Sequence, residues 1–163
     1  MAKAASFRLA TGIVIHDGRV LMVASRYPNQ PLPLWNLPGG RQLPGELLAE
    51  TVAREMLEET GLHARARELA YVSESYDGDT HFLNLTFLLT LDSAHAKLPS
   101  LTPDDSEDHV VEVAWVPLSQ VGERIAVAIV REPLLAYLTG GLATRYAGVH
   151  DAGITIAWPR DSR

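Results

Sequence analysis

Hydrophobic and polar positions divide the chain into short β-type runs, one long helical segment and several polar breaks. From Phe7 to Ser25, two apolar, β-branched-rich runs flank His16-Asp17-Gly18-Arg19. An Asp-Gly pair between such runs is a strong hairpin signal, so two strands should open the fold. Tyr27 to Leu34 carries Pro28, Pro31 and Pro33, which lack backbone donors and bias their neighbours away from helix, predicting a surface loop. Trp35-Asn36-Leu37 reads as a short strand before Pro38-Gly39-Gly40.

Glu46 to Thr60 has neither Gly nor Pro and is rich in Leu, Ala, Glu, Arg and Met, which predicts a helix. Gly61 stands where helices commonly stop at positive φ. At about 100° per residue, Leu48, Ala49, Val52, Ala53, Met56 and Leu57 share one broad side, expected to face a core. Leu62 to Ser75 and Thr80 to Leu91 surround Asp77-Gly78-Asp79 and predict a second hairpin. Lys97 to His109, with two prolines and the acids Asp104, Asp105, Glu107 and Asp108, predicts a loop before a strand at Val110 to Val116. A helix is expected from Glu132 to Thr139, with Pro133 at its first position and an end at Gly140-Gly141. In the remaining tail, Ile154-Thr155-Ile156 predicts that Gly153 to Trp158 adds a strand or packs on a partner chain. This order of elements implies an α/β protein, a mixed sheet with helices packed on it.

Composition narrows the function classes. A chain of 163 residues and 17.8 kDa, 47% hydrophobic and 21% charged, fits a single domain spanning 1–163, with 142–163 as a C-terminal extension and candidate homodimer interface. A net charge of -6 argues against a stable nucleic-acid partner. Zero cysteines exclude disulfides, thiolate metal sites and a cysteine nucleophile, and make the cytoplasm the default location. No run approaches the roughly 18 apolar residues of a membrane span, so no membrane association is expected.

The candidate chemistry lies in the long helix. Glu55, Glu58 and Glu59 fall within an arc of roughly 100°, beside the apolar side. As a solvated face they would cost little, since two facing like-charge pairs amount to about 0.4 to 1 kcal/mol. They occupy the last two turns, however, where the helix dipole favours cations. A divalent cation reverses that sign, because Mg²⁺ and Mn²⁺ take carboxylate, water and phosphate oxygens. Charge and spacing alone leave metal binding and a solvated face equally open.

The residues also match a known pattern. Gly40, Glu46, Arg54, Glu55, Met56, Glu58, Glu59, Gly61 and Leu62 reproduce without a gap the box G-x5-E-x7-R-E-U-x-E-E-x-G-U, where U is a bulky apolar residue. A chance match in a chain of this length has a probability on the order of 10⁻⁸ to 10⁻⁷. The chain therefore resembles the Nudix hydrolases of the MutT-like type. That resemblance implies an α/β/α sandwich and hydrolysis of a nucleoside diphosphate linked to another moiety. It implies Glu55, Glu58 and Glu59 as ligands of Mg²⁺ or Mn²⁺, joined by the carbonyl of Gly39 or Gly40. It also implies Glu55 as the first candidate for general base and Arg54 as the residue that orients the glutamates. Some members of the family use a glutamate from a later loop, which here offers Glu107 and Asp108, with Glu112 in the following strand; an exposed acidic loop is the alternative for each.

Arg26, Tyr27, Trp35 and Arg41 bracket the glycine-containing loop and could stack on a base or contact phosphate, or serve packing and surface roles. Six histidines show no metal-ligand spacing. P-loop, dinucleotide-binding and serine-hydrolase motifs are absent from the sequence. The proline found downstream of the box in similar ADP-ribose pyrophosphatases is missing, and Tyr76 lies near, not on, a tyrosine position of diadenosine-polyphosphate hydrolases. Elimination favours a nucleoside triphosphate or related nucleotide. The competing class is a nucleotide-sensing module that keeps the fold without turnover. A Nudix-fold isomerase relying on a catalytic cysteine is opposed by the absence of cysteine.

Overall fold

The computed structural model describes residues 4–92 and 109–157. β1 (Ser6–Ile13) runs parallel to β7 (Thr80–Leu91) and antiparallel to β5 (Gly39–Arg41). β7 pairs antiparallel with β6 (Ala64–Asp77), and β9 (Tyr146–Val149) adds parallel to β6. The result is a mixed five-stranded sheet in the order β5-β1-β7-β6-β9. A second sheet centres on β3 (Arg19–Ser25), with β8 (Val110–Pro117) along one edge and β2 (Ile15–His16) and β4 (Leu34–Asn36) sharing the other.

The expected turn forms at Asp17 and Gly18, both at positive φ, but the first hairpin is much shorter than the sequence suggests. Only Ile15–His16 pair back on Arg19–Val20, while all eight residues of β1 pair with β7. The chain changes sheets at Val14, because the parallel partner gives β1 a longer ladder and a buried face. The second hairpin forms as expected, with Asp77 opposite Thr80.

Helix α1 (Leu48–Thr60) starts with the Leu47 N–H donating to the Glu50 carboxylate at 2.9 Å. It stops at Gly61, whose φ of 75° lets its N–H close on the Leu57 carbonyl at 2.8 Å. Val52 and Met56 are fully buried against Ala10, Val14, Leu21, Ala64 and Leu89, so α1 covers one face of the large sheet. The buried stripe is rotated from the expected one. Ala49 and Leu57 are exposed, while Thr51, Glu55, Glu59 and Thr60 are buried. β5 lies along that edge of the helix and its Gly39 amide meets the Glu59 carboxylate, while Thr51 and Thr60 turn their hydroxyls to the Leu47 and Met56 carbonyls.

The opposite face packs Ile13, Ala70 and Tyr71 against Val121, Ile125 and Leu134. Those residues come from a short helix, α2 (Val121–Arg124), and from α3 (Ala128–Leu138) and the turn between them. The α/β/α arrangement is thereby complete. α3 begins four residues before the expected Glu132, and Pro133 lies inside it, buried. Arg131 supports this entry by donating from Nη1 to the carbonyls of Ile125 and Ala126 at 2.9 and 3.2 Å. Burial of the Pro133 ring offsets the helical hydrogen bond that its nitrogen cannot donate.

The tail also differs from expectation. Its strand is Tyr146–Val149, and none of residues 153–157 is in a strand. Arg145 decides this register by donating to the carbonyls of Leu69 and Ala70, both at 3.0 Å. A lateral chain of side chains, Ser6, His81, Glu74 and Tyr146, then links β1, β7, β6 and β9. Among the described residues, no helix is long and apolar enough to cross a membrane.

Candidate active site

Helix α1 and strand β5 meet edge to edge. By register, Gly39 lies opposite Thr11 between the hydrogen-bonded pairs of Ala10–Gly40 and Gly12–Pro38, so its N–H and C=O face away from β1. The N–H donates to Glu59 Oε1 at 2.8 Å. Side chains would not fit at its two glycines. A Cβ on Gly39 would lie 2.3 Å from the Ala10 carbonyl oxygen, and one on Gly40 would lie 2.5 Å from the Glu55 carboxylate. The two glycines allow a backbone to touch a pair of buried carboxylates, with Glu55 7% and Glu59 6% exposed.

Arg54 ties the cluster together. Its Nε donates to Glu46 Oε2 at 2.6 Å and its Nη2 to Glu46 Oε1 at 3.1 Å, a two-pronged pairing. Nη2 also reaches the Arg41 carbonyl at 3.0 Å, while Nη1 donates to Glu55 at 2.9 Å and Glu58 at 3.2 Å. Glu46 meets it from the turn before α1, where its carboxylate also accepts from Leu43 N at 2.8 Å and the Thr51 hydroxyl at 3.1 Å. The Arg54 hydrogen bond holds the Glu46 carboxyl down at about 2, against an ordinary 4.5, and Glu46 in turn raises the Arg54 pKa. Arg54 therefore stays charged and fixes the rotamers of three glutamates.

Glu58 is the outward member, its side chain 45% exposed. Arg54 pairs with Glu46, Glu55 and Glu58, and the buried Glu59 lies against the Gly39 amide. The carboxylate oxygens, together with the outward-facing Gly39 carbonyl, are hard donors that suit Mg²⁺ or Mn²⁺. The donor types fit the cation that the resemblance implied, but among the described residues no three such side chains converge on one point as a ready cation site.

The sheet face away from α1 carries half-buried aromatic and polar side chains around the buried Thr11, Ser73 and Thr86. Strand alternation places Phe7, Leu9 and Thr11 of β1 beside Phe82, Asn84 and Thr86 of β7 and Ser73 and Ser75 of β6. The Thr11 and Thr86 hydroxyls are 2.9 Å apart, and Thr11 Oγ1 approaches Asn84 Oδ1 at 3.4 Å. Arg41, opposite Leu9, lays its guanidinium 4.0 Å over the Phe7 ring, which stacks on Phe82 at 5.7 Å. None of these floor residues except Arg41 was singled out by the sequence. The period-two polar positions Asn84 and Thr86 inside an apolar strand were the available signal.

The other anticipated residues divide. Tyr27 lies on the site side, where burial first and the Glu59 charge second raise its phenol pKa, against a lowering contribution from the Ser25 side chain. Trp35 packs on the α2–α3 core, with the Arg124 guanidinium 4.8 Å over its ring. Arg26 is exposed and donates its backbone N–H to the His109 carbonyl at 2.9 Å. Tyr76 points to the opposite sheet face from Ser75 and stacks with His81 and His150 at 4.8 and 6.2 Å, which separates it from the Phe7–Arg41 floor. Glu112 is exposed on the face of β8 shared with Ala114 and Val116, not on the face by which Val113 and Trp115 meet α1. Glu107 and Asp108 lie outside the described residues.

A mixed sheet between helices, with buried glutamates of one helix abutting a Gly-Gly strand, defines an α/β protein with a carboxylate-lined candidate site at a sheet edge. The NUDIX domain model matches residues 6–138, and the chain belongs to that family. It is 44% identical over 52 residues to a putative 8-oxo-dGTP diphosphatase of Bacillus subtilis (strain 168), covering 32% of this chain and 33% of the relative. It is 36% identical over 81 residues to an ADP-ribose pyrophosphatase of Methanocaldococcus jannaschii, covering 48% of this chain and 47% of the relative. The chain thus spans between a third and a half of the length of these two relatives. Among solved structures, the MutT protein from Methanosarcina mazei Go1 superposes with a TM-score of 0.68 at 21% identity, covering 86% of this chain and 98% of that one. A NUDIX hydrolase from Nitrosomonas europaea gives 0.66 at 22% identity, covering 86% and 92%. Both show the shared fold.

Proposed function

We propose that the protein is a Mg²⁺- or Mn²⁺-dependent pyrophosphohydrolase acting on a nucleoside diphosphate derivative, with a nucleoside triphosphate or related nucleotide as the favoured substrate. The observation that carries this reading is the yoked carboxylate set, Glu55 and Glu59 held against Gly39–Gly40 and oriented by the Arg54–Glu46 pair. A bound divalent cation would offset the charge of the pyrophosphate oxygens. Glu55, Glu58, Glu59 and the Gly39 carbonyl would hold it. Water then attacks phosphorus in line, one P–O bond of the anhydride breaks, and a carboxylate takes the proton of the water. Glu55 is the first candidate for that base, already fixed by Arg54 at 2.9 Å.

The other sheet face supports a nucleotide reading: the Phe7–Phe82 stack with Arg41 laid over it and the half-buried Asn84 supply aromatic, cationic and polar groups suited to a base and its phosphates. The relatives named for 8-oxo-dGTP and for ADP-ribose define the contrast to test. A nucleotide panel with Mg²⁺ or Mn²⁺ should yield nucleoside monophosphate plus pyrophosphate from a triphosphate, and Glu59→Gln should lower kcat on the order of 10² to 10⁴-fold. Equal inertness of wild type and Glu59→Gln on every compound would reject hydrolysis, and tight nucleotide binding without turnover would establish a sensing module instead.

A further inference from the structure

The end of the chain crosses back over the sheet at the end of β6. Thr155 marks the crossing. Its hydroxyl donates to Asp77 Oδ1 at 3.0 Å, while its carbonyl accepts from Asn29 Nδ2 at 2.6 Å and Gln30 Nε2 at 3.1 Å. The Asn29 amide is used on both sides, since its Oδ1 accepts from Ala157 N at 2.8 Å. Further back, Ala152 N donates to the Tyr76 carbonyl at 3.2 Å. The segment is thus fastened at one end to the terminus of β6 and at the other to the loop between β3 and β4.

Both anchor points belong to the site. Strand alternation puts Asp77 on the same face as Ser73 and Ser75, and Thr155 joins that Asp77 to Asn29 and Gln30 of the loop. Pro28, Pro31 and Pro33 lack amide donors, and among the described residues the backbone bond inside the loop is Gln30 N to the Tyr27 carbonyl at 3.1 Å. The tail supplies what the prolines remove.

We propose that residues 152–157 form a clasp that fixes Tyr27–Gln30 as a wall of the nucleotide site, with Asn29 and Thr155 as positioning residues for substrate binding. The inference rests on the reading of the site as nucleotide-binding. A loop released from the clasp must order when substrate arrives, so apparent affinity falls with the fraction of molecules already competent. Once filled, the site reaches the same geometry, and turnover is preserved. A general loss of folding would not produce that split.

Steady-state kinetics on the best panel substrate, using the full chain, tests the clasp. Asn29→Ala should raise KM about 5- to 20-fold with kcat within about twofold. Thr155→Val, which loses only the Asp77 bond, should raise KM about 2- to 5-fold, and Thr155→Ser, which keeps the hydroxyl, should restore the wild-type value. Thermal melting of each variant confirms the folded state, and the milder Thr155 pair decides the matter where Asn29→Ala melts early. Equilibrium titration with a non-hydrolysable nucleoside triphosphate analogue and Mg²⁺ runs in parallel. Affinity that weakens in Asn29→Ala without turnover in any form supports the clasp and overturns the enzyme reading alone. Unchanged KM and unchanged analogue affinity in Asn29→Ala, or a loss confined to kcat, overturns the clasp.

Discussion

At the scale of single residues, Glu46 and Arg54 give the site a pH signature separate from its chemistry. Arg54 holds the folded-state pKa of Glu46 at about 2, below the ordinary 4.5. A depressed carboxyl pKa stabilises the fold fully above the unfolded value and loses that contribution as pH falls through the folded one. Urea midpoints followed downward from pH 4.5 to about 2 should therefore fall more steeply for wild type than for Glu46→Gln, which has no such proton to take up. Parallel curves for the two proteins would show that the pair contributes nothing to this window. The eight-residue spacing of Glu46 and Arg54 is plain in the sequence. That Glu46 folds back from the preceding turn to meet both prongs of the guanidinium is a property of the tertiary path.

At the scale of elements, the contact of α1 with β5 explains why the helix buries carboxylates where its apolar arc would have buried Leu57. Gly40 measures this contact. Gly40→Ala places a methyl 2.5 Å from the Glu55 carboxylate, so the carboxylate must move or the strand must retreat. A displacement of this order in a reacting group costs roughly 10²-fold, and kcat should drop by about that factor. Gly122→Ala is the control, since its Cβ meets only the Leu135 side chain at 3.2 Å, and kcat should stay at the wild-type value. A Gly40→Ala protein with wild-type kcat would show that the close approach is not required. The helix itself was legible through its end at Thr60 and Gly61, because composition and stop signal are local, while its expected start at Glu46 falls in the turn before Leu48. The strand character of Gly39–Arg41 was not, because glycine carries no β signal and the strand exists through pairing with Leu9–Thr11.

At the scale of the whole molecule, the tail closes the sheet that the body of the chain begins. β9 occupies the edge of β6 through Val72–Ser75, and Arg145 pins its start. A chain shortened after Gly141 should expose that edge as unpaired N–H and C=O groups and form higher-mass species by light scattering. A monomeric shortened chain beside a dimeric full-length one would instead place a homodimer interface in the tail. The sequence by itself determined the long helix, its stop at Gly61, the β6–β7 hairpin and the spacing of the glutamates, because these depend on local propensity and on residue type at fixed spacing. Tertiary structure alone decided that β1 leaves its hairpin for a parallel partner, that Tyr76 and Arg41 stand on opposite sheet faces, and that the tail pairs at Tyr146–Val149 before crossing to Asn29. Those outcomes depend on which distant segments satisfy each other's backbone groups and bury each other's surfaces, and no stretch of sequence read in isolation contains its own partner.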